Sequence, residues 1–366
     1  MNIAFFCIPA HGHTNPTLAV VRELTARGHT VRYYTTEAFR AKVEAAGAVF
    51  VPFDTEAARP GMTAADGARL GSDLAFSTKL IVDLTLAADD WLSRELTAHR
   101  PDVIAGDSMA FWAKLAAKKH GIPFVSSTTT FAFNRFSAKV IEQNGAGFLQ
   151  FLLAQPRINR QLKRLRAAGY AVKSVFDIIA NDNETETVVY TSPDFQPCAD
   201  TFSEKYHFVG PLLRPAQSSF EKLPGRSLIY ISLGTVNNDA LPFYRACLAA
   251  FGGDPRFQLV LSAGTQTDLA ALGPIPENCT VRASVDQMAV LDCADIFLTH
   301  CGMNSASEGL WHGLPLVLYP QTPEQHGVAN RVAALGAGVP LTDPSADGIR
   351  RAVEAALTDP AYRENA

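Results

Sequence analysis

The sequence predicts an α/β protein built as two parallel-sheet domains in tandem. Three observations carry this reading. Short apolar, β-rich runs alternate with longer helical stretches, the pattern of a parallel sheet covered by helices on both faces. The alternation occurs twice, on either side of an aperiodic polar segment, Arg214 to Arg226, rich in proline, serine and glycine. Finally, 366 residues exceed what one hydrophobic core ordinarily serves.

The first strand series reads 2–9, 30–36, 48–53, 103–106, 123–127 and 187–191. Its opening helix is the most legible: Asn15 is a good N-cap, Pro16 suits the first helical position, Leu18, Val21 and Leu24 share a face, and Gly28 ends it. The second series reads 228–233, 257–262, 280–283, 296–299 and 314–319. We therefore expect a Rossmann-like domain over 1–213, a linker over 214–226 and a second Rossmann-like domain over 227–366, with the carboxyl ends of both sheets lining one cleft.

Composition narrows the function. Hydrophobic residues make up 47% and charged residues 19%, which is globular and not disordered. A net charge of -4 provides no basic field for nucleic acid. The six cysteines, at 7, 198, 247, 279, 293 and 301, are scattered without a C-x-x-C pair, so we expect reduced thiols and no structural zinc. The apolar start lacks a basic region and runs into His11-Gly12-His13, so it reads as a buried strand and not a leader. No apolar run reaches the roughly 18–20 residues of a membrane span, and the expected location is the cytoplasm. Arg157 to Arg166 carries five basic residues beside Ile158, Leu162 and Leu165; it reads either as an exposed helix or as a surface for a membrane or anionic partner.

Two constellations carry chemistry. In the second half, His300-Cys-Gly302-Met-Asn304-Ser305-Ala-Ser-Glu308-Gly309 follows an apolar strand, and Glu324-Gln325 lies downstream. A strand entering a glycine turn and then a helix aims backbone N–H groups at the turn, which favours a phosphate. His300, Asn304 and Ser305 add donors, and Glu308 suits ribose hydroxyls. In the first half, Pro9-Ala-His11-Gly12-His13-Thr-Asn15-Pro16 joins the first strand to the first helix, at a sheet edge where α/β ligands bind. Histidine accepts a proton near neutrality. Asp107, closing the strand at 103–106, is the candidate to orient it. Asp107 also reads as an N-cap for a helix near Met109, Asp102 lies close by, and His11 competes with His13 as base. A metal is not expected at His-x-His, because no further ligand cluster accompanies it.

These residues resemble the nucleotide-sugar signature of glycosyltransferase family one, over about Ser284 to Gly338. The resemblance implies the two-domain GT-B fold. It implies that His300, Asn304 and Ser305, with Gly302 at the helix start, hold a diphosphate, that Glu308 holds ribose, and that Glu324 and Gln325 hold sugar hydroxyls. Ser232-Leu-Gly-Thr235 resembles the family's other phosphate-side turn, with Thr235 as donor, and Gln287 matches a glutamine at its uracil-binding strand end. Ser284 and Asp286 depart from the aromatic or basic residue and the proline usual there, which loosens a strict preference for uridine. The H-G-H-x-N-P motif implies His13 as general base with Asp107 as its partner. Thr129 matches a threonine that contacts the donor sugar, although Thr128, Thr129 and Thr130 read equally as strand-end residues.

The implied activity is an inverting, metal-independent transfer of a sugar from a nucleotide sugar, UDP-glucose foremost, to a hydroxyl of a small hydrophobic acceptor such as a macrolide, polyketide or flavonoid. No cofactor is expected beyond that co-substrate. Phe76, Trp91, Trp112, Phe131, Phe133 and Phe136 are available for the acceptor. A sugar-nucleotide epimerase or hydrolase would instead place acidic groups in the first-domain loops. A binding-only protein would lack His13 or Asp107. An oxidoreductase would carry G-x-G-x-x-G after the first strand.

Overall fold

The structure is a computed structural model that describes residues 1–53, 73–134, 136–137, 147–179, 181, 183–235 and 237–366, with 147–153 described by backbone only. The chain divides into two compact units, Met1–Leu212 and Leu213–Ala366. The first holds a seven-stranded sheet of order β3-β2-β1-β4-β5-β6-β7, formed by β1 (Asn2–Phe6), β2 (Thr30–Thr35), β3 (Val49–Pro52), β4 (Val103–Asp107), β5 (Phe124–Thr128), β6 (Glu186–Val189) and β7 (Tyr206–Phe208). All its pairings are parallel.

Alternation along β1 divides the core between the two sheet faces, as period two requires. Ile3, Phe5 and Cys7 pack with Val21 of helix α1 (His11–Ala26), whereas Ala4 and Phe6 pack beneath α3 (Leu74–His99) and α4 (Phe111–His120). Phe5 faces Tyr33 and Phe6 faces Tyr34 in register, and both pairs stack, at 5.0 and 4.2 Å between ring centres. Such pairs each add about 0.5–1 kcal/mol to the burial of their area.

Helix α1 begins earlier than its sequence suggests. The N-cap is Ala10, with no side-chain cap, and its carbonyl accepts from the N–H groups of His13 and Thr14 at 3.0 and 2.8 Å. Asn15 lies inside the helix and takes the Lys42 ammonium at 3.1 Å, while Pro16 sits in the second turn. Tertiary packing of Thr14 and Thr17, both fully buried, outweighs the local capping preference. His13 thereby moves from an expected loop into the first helical turn. The expected face and end are as read: Val21 is buried with Leu18 and Leu24 beside it, and Gly28 stops the helix in the left-handed region.

The second unit holds a six-stranded parallel sheet of order β10-β9-β8-β11-β12-β13, formed by β8 (Ser227–Ser232), β9 (Phe257–Ser262), β10 (Cys279–Arg282), β11 (Ile296–Thr299), β12 (Leu316–Leu318) and β13 (Gly338–Pro340). The short edge strand β13 was not read from sequence. Residues 214–226 are tied to this unit: Asp286 Oδ2 accepts from the N–H groups of Gln217 and Ser218 at 2.6 and 2.9 Å, and Gln258 Oε1 accepts from Leu223 N–H at 2.8 Å. The departure at position 286 thus anchors this segment. All six cysteines are free thiols. Among the described residues no helix is long and apolar enough to cross a membrane.

In each sheet the strand order reverses once, between β1 and β4 and between β8 and β11. There the loops leave in opposite directions and open a crevice at the carboxyl ends of the strands. Both constellations read from the sequence fall at these two points.

Candidate active site

At the first reversal, His13 Nδ1 lies 2.8 Å from Asp107 Oδ2. Asp107 is the last residue of β4 and its side chain is fully buried, while the His13 side chain keeps 17% exposure. The second carboxylate oxygen, Oδ1, accepts from Met109 N–H at 2.9 Å. The capping alternative is therefore corrected: Asp107 closes a local turn, but helix α4 starts at Phe111 with Ala110 as its cap. Asp102 lies before the other end of β4, where it accepts from Asn2 N–H at 2.7 Å. His11 is exposed, 3.4 Å from Lys42 Nζ and edge-on to Phe39. Partial burial and that ammonium push its imidazole below the usual histidine value.

A carboxylate offers only acceptors, so its bond to Nδ1 sets the proton there and leaves Nε2 with the lone pair. The groups beneath the pair stay neutral: burial drives the Cys7 thiol and the Tyr33 phenol upward, and the charge of Asp107 adds to both shifts. Thr129, which follows β5, places its hydroxyl oxygen 3.0 Å from His13 Nδ1, a contact with the imidazole that the sequence did not suggest. A pocket beside Asp107 is lined by Met109, Phe111, Phe131, Phe133, Ile179 and Lys114, among others.

Of the aromatic residues suggested for an acceptor, Phe131 and Phe133 line that pocket. Trp112 and Trp91 do not. Trp112 is 1% exposed within the core under the sheet, and Trp91 packs on Tyr34 and Phe53. Large rings on the apolar face of a helix go to the core first. Phe76 lies in the first turn of α3, and Phe136 is exposed. Much of the segment proposed as acceptor wall, 54–72 and 138–146, lies outside the described residues.

At the second reversal, His300 follows β11 and is sandwiched between two glycines. A Cβ on Gly234 or on Gly302 would come within 2.6 Å of its ring. Gly234 also holds φ +79, so the turn after β8 requires glycine on two grounds. Burial pushes the His300 imidazole down to about 4, only partly offset by the backbone of Ser232. His300 is thus a neutral donor or acceptor near pH 7. Cys301 beside it holds φ +63, an uncommon conformation for a side-chain-bearing residue and one that concentrates at functional sites.

Helix α9 (Met303–Trp311) starts after Gly302 with no side-chain cap and no acid in its first turn. Its leading N–H groups, with Asn304 and Ser305 in that turn, have the arrangement that suits an anion. Thr235 is exposed in the turn after β8. One turn further along α9, Glu308 accepts from Gln287 Nε2; Gln287 Oε1 accepts from Tyr230 OH at 3.0 Å, and its amide lies 3.5 Å from Ser305 Oγ. Burial raises the Glu308 carboxyl, while the Gln287 bond and the charge of Arg214 lower it. Arg214, read from sequence as the first residue of a linker, also acts on Tyr230 and Asp286. No sequence signal marked it.

Helix α10 (Pro323–Ala334) differs. Thr322 and Gln325 form a capping box, with Gln325 Oε1 accepting from the N–H groups of Gln321 and Thr322 at 2.8 and 3.2 Å. Gln325, suggested for sugar hydroxyls, therefore spends its carbonyl on its own helix end. Glu324 is exposed in the first turn.

Residues 257–366 match the family described as Erythromycin biosynthesis protein CIII-like, C-terminal domain. The chain is 33% identical over 368 residues to the NDP-glycosyltransferase YjiC of Bacillus licheniformis, covering 98% of this chain and 90% of that protein. It is 32% identical over 374 residues to the oleandomycin glycosyltransferase of Streptomyces antibioticus, covering 98% and 84%. The crystal structure of the kitacinnamycin glycosyltransferase superposes with a TM-score of 0.83 at 31% identity, covering 100% of this chain and 92% of that one. Identity at this level, sustained over nearly the whole length and on the same two-unit architecture, means that the chain belongs to glycosyltransferase family one, of GT-B fold, and is a glycosyltransferase of the natural-product type.

Proposed function

We propose that the protein is an inverting glycosyltransferase that needs no metal and moves glucose from UDP-glucose to a hydroxyl of a small hydrophobic acceptor. The observation that carries this reading is the 2.8 Å bond between His13 Nδ1 and the buried Asp107 carboxylate. That bond leaves Nε2 as the base. An acceptor hydroxyl gives its proton to Nε2 as its oxygen attacks the anomeric carbon, and Asp107 stabilises the imidazolium that forms. The bond from that carbon to the diphosphate breaks on the opposite face, inverting the centre.

The leaving diphosphate takes negative charge, which the start of α9 is suited to stabilise, with His300, Asn304, Ser305 and Thr235 as further donors. These groups supply what a divalent cation would otherwise provide. Glu308 and Gln287 are assigned to the nucleoside and Glu324 to the sugar, while Gln325 caps its own helix. The relatives' names support a natural-product hydroxyl as acceptor, and the pocket beside Asp107, with Phe131 and Phe133 in its wall, fits an apolar one.

The test is release of nucleoside diphosphate from UDP-glucose, in chelator, against a panel of phenolic and macrolide alcohols. Acceptor-dependent release that disappears in His13→Ala supports the reading. Release that needs no acceptor would favour a hydrolase, and turnover untouched by the substitution would remove His13 as base.

A further inference from the structure

We infer that Thr129 is a positioning residue whose hydroxyl oxygen shares the Nδ1–H of His13 with Asp107, holding the ring in the tautomer that leaves Nε2 as base. The inference rests on the reading of His13 as base and adds a residue to it.

Two oxygens converge on one nitrogen: Asp107 Oδ2 at 2.8 Å and Thr129 Oγ1 at 3.0 Å. A ring nitrogen carries either one proton or one lone pair. The carboxylate can only accept, so the proton sits on Nδ1, and the Thr129 oxygen then faces an N–H and accepts as well, in a three-centre bond. A half-turn of the ring would exchange Nδ1 for a carbon and lose both acceptors at once. Thr129 is 3% exposed, so water does not readily replace its oxygen. Its neighbours do not duplicate the contact. The Thr130 hydroxyl goes to the Phe131 carbonyl at 3.4 Å, and Thr128 lines the pocket beside Asp107.

The ionisable surroundings make the contact testable by titration. Asp107 faces the ring from β4. Cys7 after β1, Tyr33 on β2 and Tyr190 after β6 all sense its charge, and burial pushes each further above its ordinary value. On α1 itself, His11 lies beside Lys42. Among the described residues His11 is a second histidine on the same helix, and residue-resolved spectra separate the two.

The experiment is an NMR titration of the His13 ring nitrogens in the full chain carrying Thr129→Val or Thr129→Ser, paired with pH profiles of kcat/KM for UDP-glucose. In Thr129→Val the Nδ1–H tautomer should lose population. Loss of an acceptor that favours the charged ring should lower the His13 pKa by about half to one unit. The acidic limb of the profile should move with it, and kcat/KM should fall about tenfold. Thr129→Ser should recover both to within about threefold of the native chain.

A rise in the His13 pKa in Thr129→Val would mean that the hydroxyl donates to a bare Nδ1, and would overturn the inference. So would an unchanged titration, or a loss of Tm and activity that Ser does not rescue. The NMR readout requires no turnover. If His13→Ala retains activity while Thr129→Val still shifts the tautomer, the base assignment fails and the contact stands.

Discussion

Two histidines stand at the strand reversals of the two sheets, His13 in the helix after β1 and His300 directly after β11, and the protein prepares them in opposite ways. His13 keeps 17% side-chain exposure and points Nδ1 at a buried carboxylate. His300 is enclosed by Gly234 and Gly302, and burial holds it near 4. The first arrangement stabilises a charged ring, the second penalises it. The lesson is that the same side chain, placed on opposite sides of the strand reversal, is suited to proton transfer or to neutral hydrogen bonding according to what packs against it.

The comparison breaks most sharply at His13. His13→Ala should reduce acceptor-dependent turnover by about ten-thousandfold, with donor binding measured by calorimetry nearly unchanged. Asp107→Asn keeps the shape but removes the counter-charge. It should lower kcat by about a hundredfold to a thousandfold, and an effect confined to KM would mean that the carboxylate only shapes the loop.

His300→Gln should do the reverse, raising KM for the donor by roughly tenfold to a hundredfold while leaving the pH limb of kcat in place. Its pH signature lies in stability. The unfolded chain takes a proton on this histidine near 6.5, and the folded chain only near 4. The unfolded state therefore binds more protons between those values, and stability falls as pH drops through that window, by about 1–3 kcal/mol. Denaturant midpoints of His300→Gln at about pH 7 and about pH 4.5 should differ by less than those of the native chain.

Gly234→Ala tests the enclosure itself. Its Cβ would meet the His300 ring at 2.6 Å, at a φ of +79. We expect about 1–3 kcal/mol lost in denaturant unfolding and weaker donor binding; an unchanged KM would mean that the ring position is immaterial. The smallest effect is at Gln325→Ala, which removes half of the capping box and should cost about 0.5–1 kcal/mol. A large rise in donor KM with little loss of stability would show that Gln325 leaves its cap to hold the sugar.

Legibility in the sequence differed by kind of feature. Strands and switch-point motifs could be read because hydrophobic alternation and a strand-glycine-helix run are local signals; β9 and β11 match their expected bounds. The start of α1 could not, since Asn15 and Pro16 advertise a cap that the burial of Thr14 and Thr17 overrides. Trp112 looked available for a ligand because nothing in its neighbours says which side of α4 faces the sheet. The charge of Arg214 acting on Glu308, and Asp286 holding residues 217 and 218, join segments about seventy or more residues apart and leave no local trace.

By itself the sequence determined the α/β class, the tandem sheets and the family likeness, and it marked His13, Asp107 and His300 as candidates, because each depends on residue type and short spacing. Only the tertiary structure decided that Asp107 pairs with His13 across 94 residues, that Thr129 joins them from a third strand end, and that His300 stands between two glycines from different loops. Those outcomes depend on strand order, which brings the ends of β1, β4 and β5 side by side, as it does those of β8 and β11. Order in a sheet is set by long-range packing of the two faces, and no local pattern of residues encodes it.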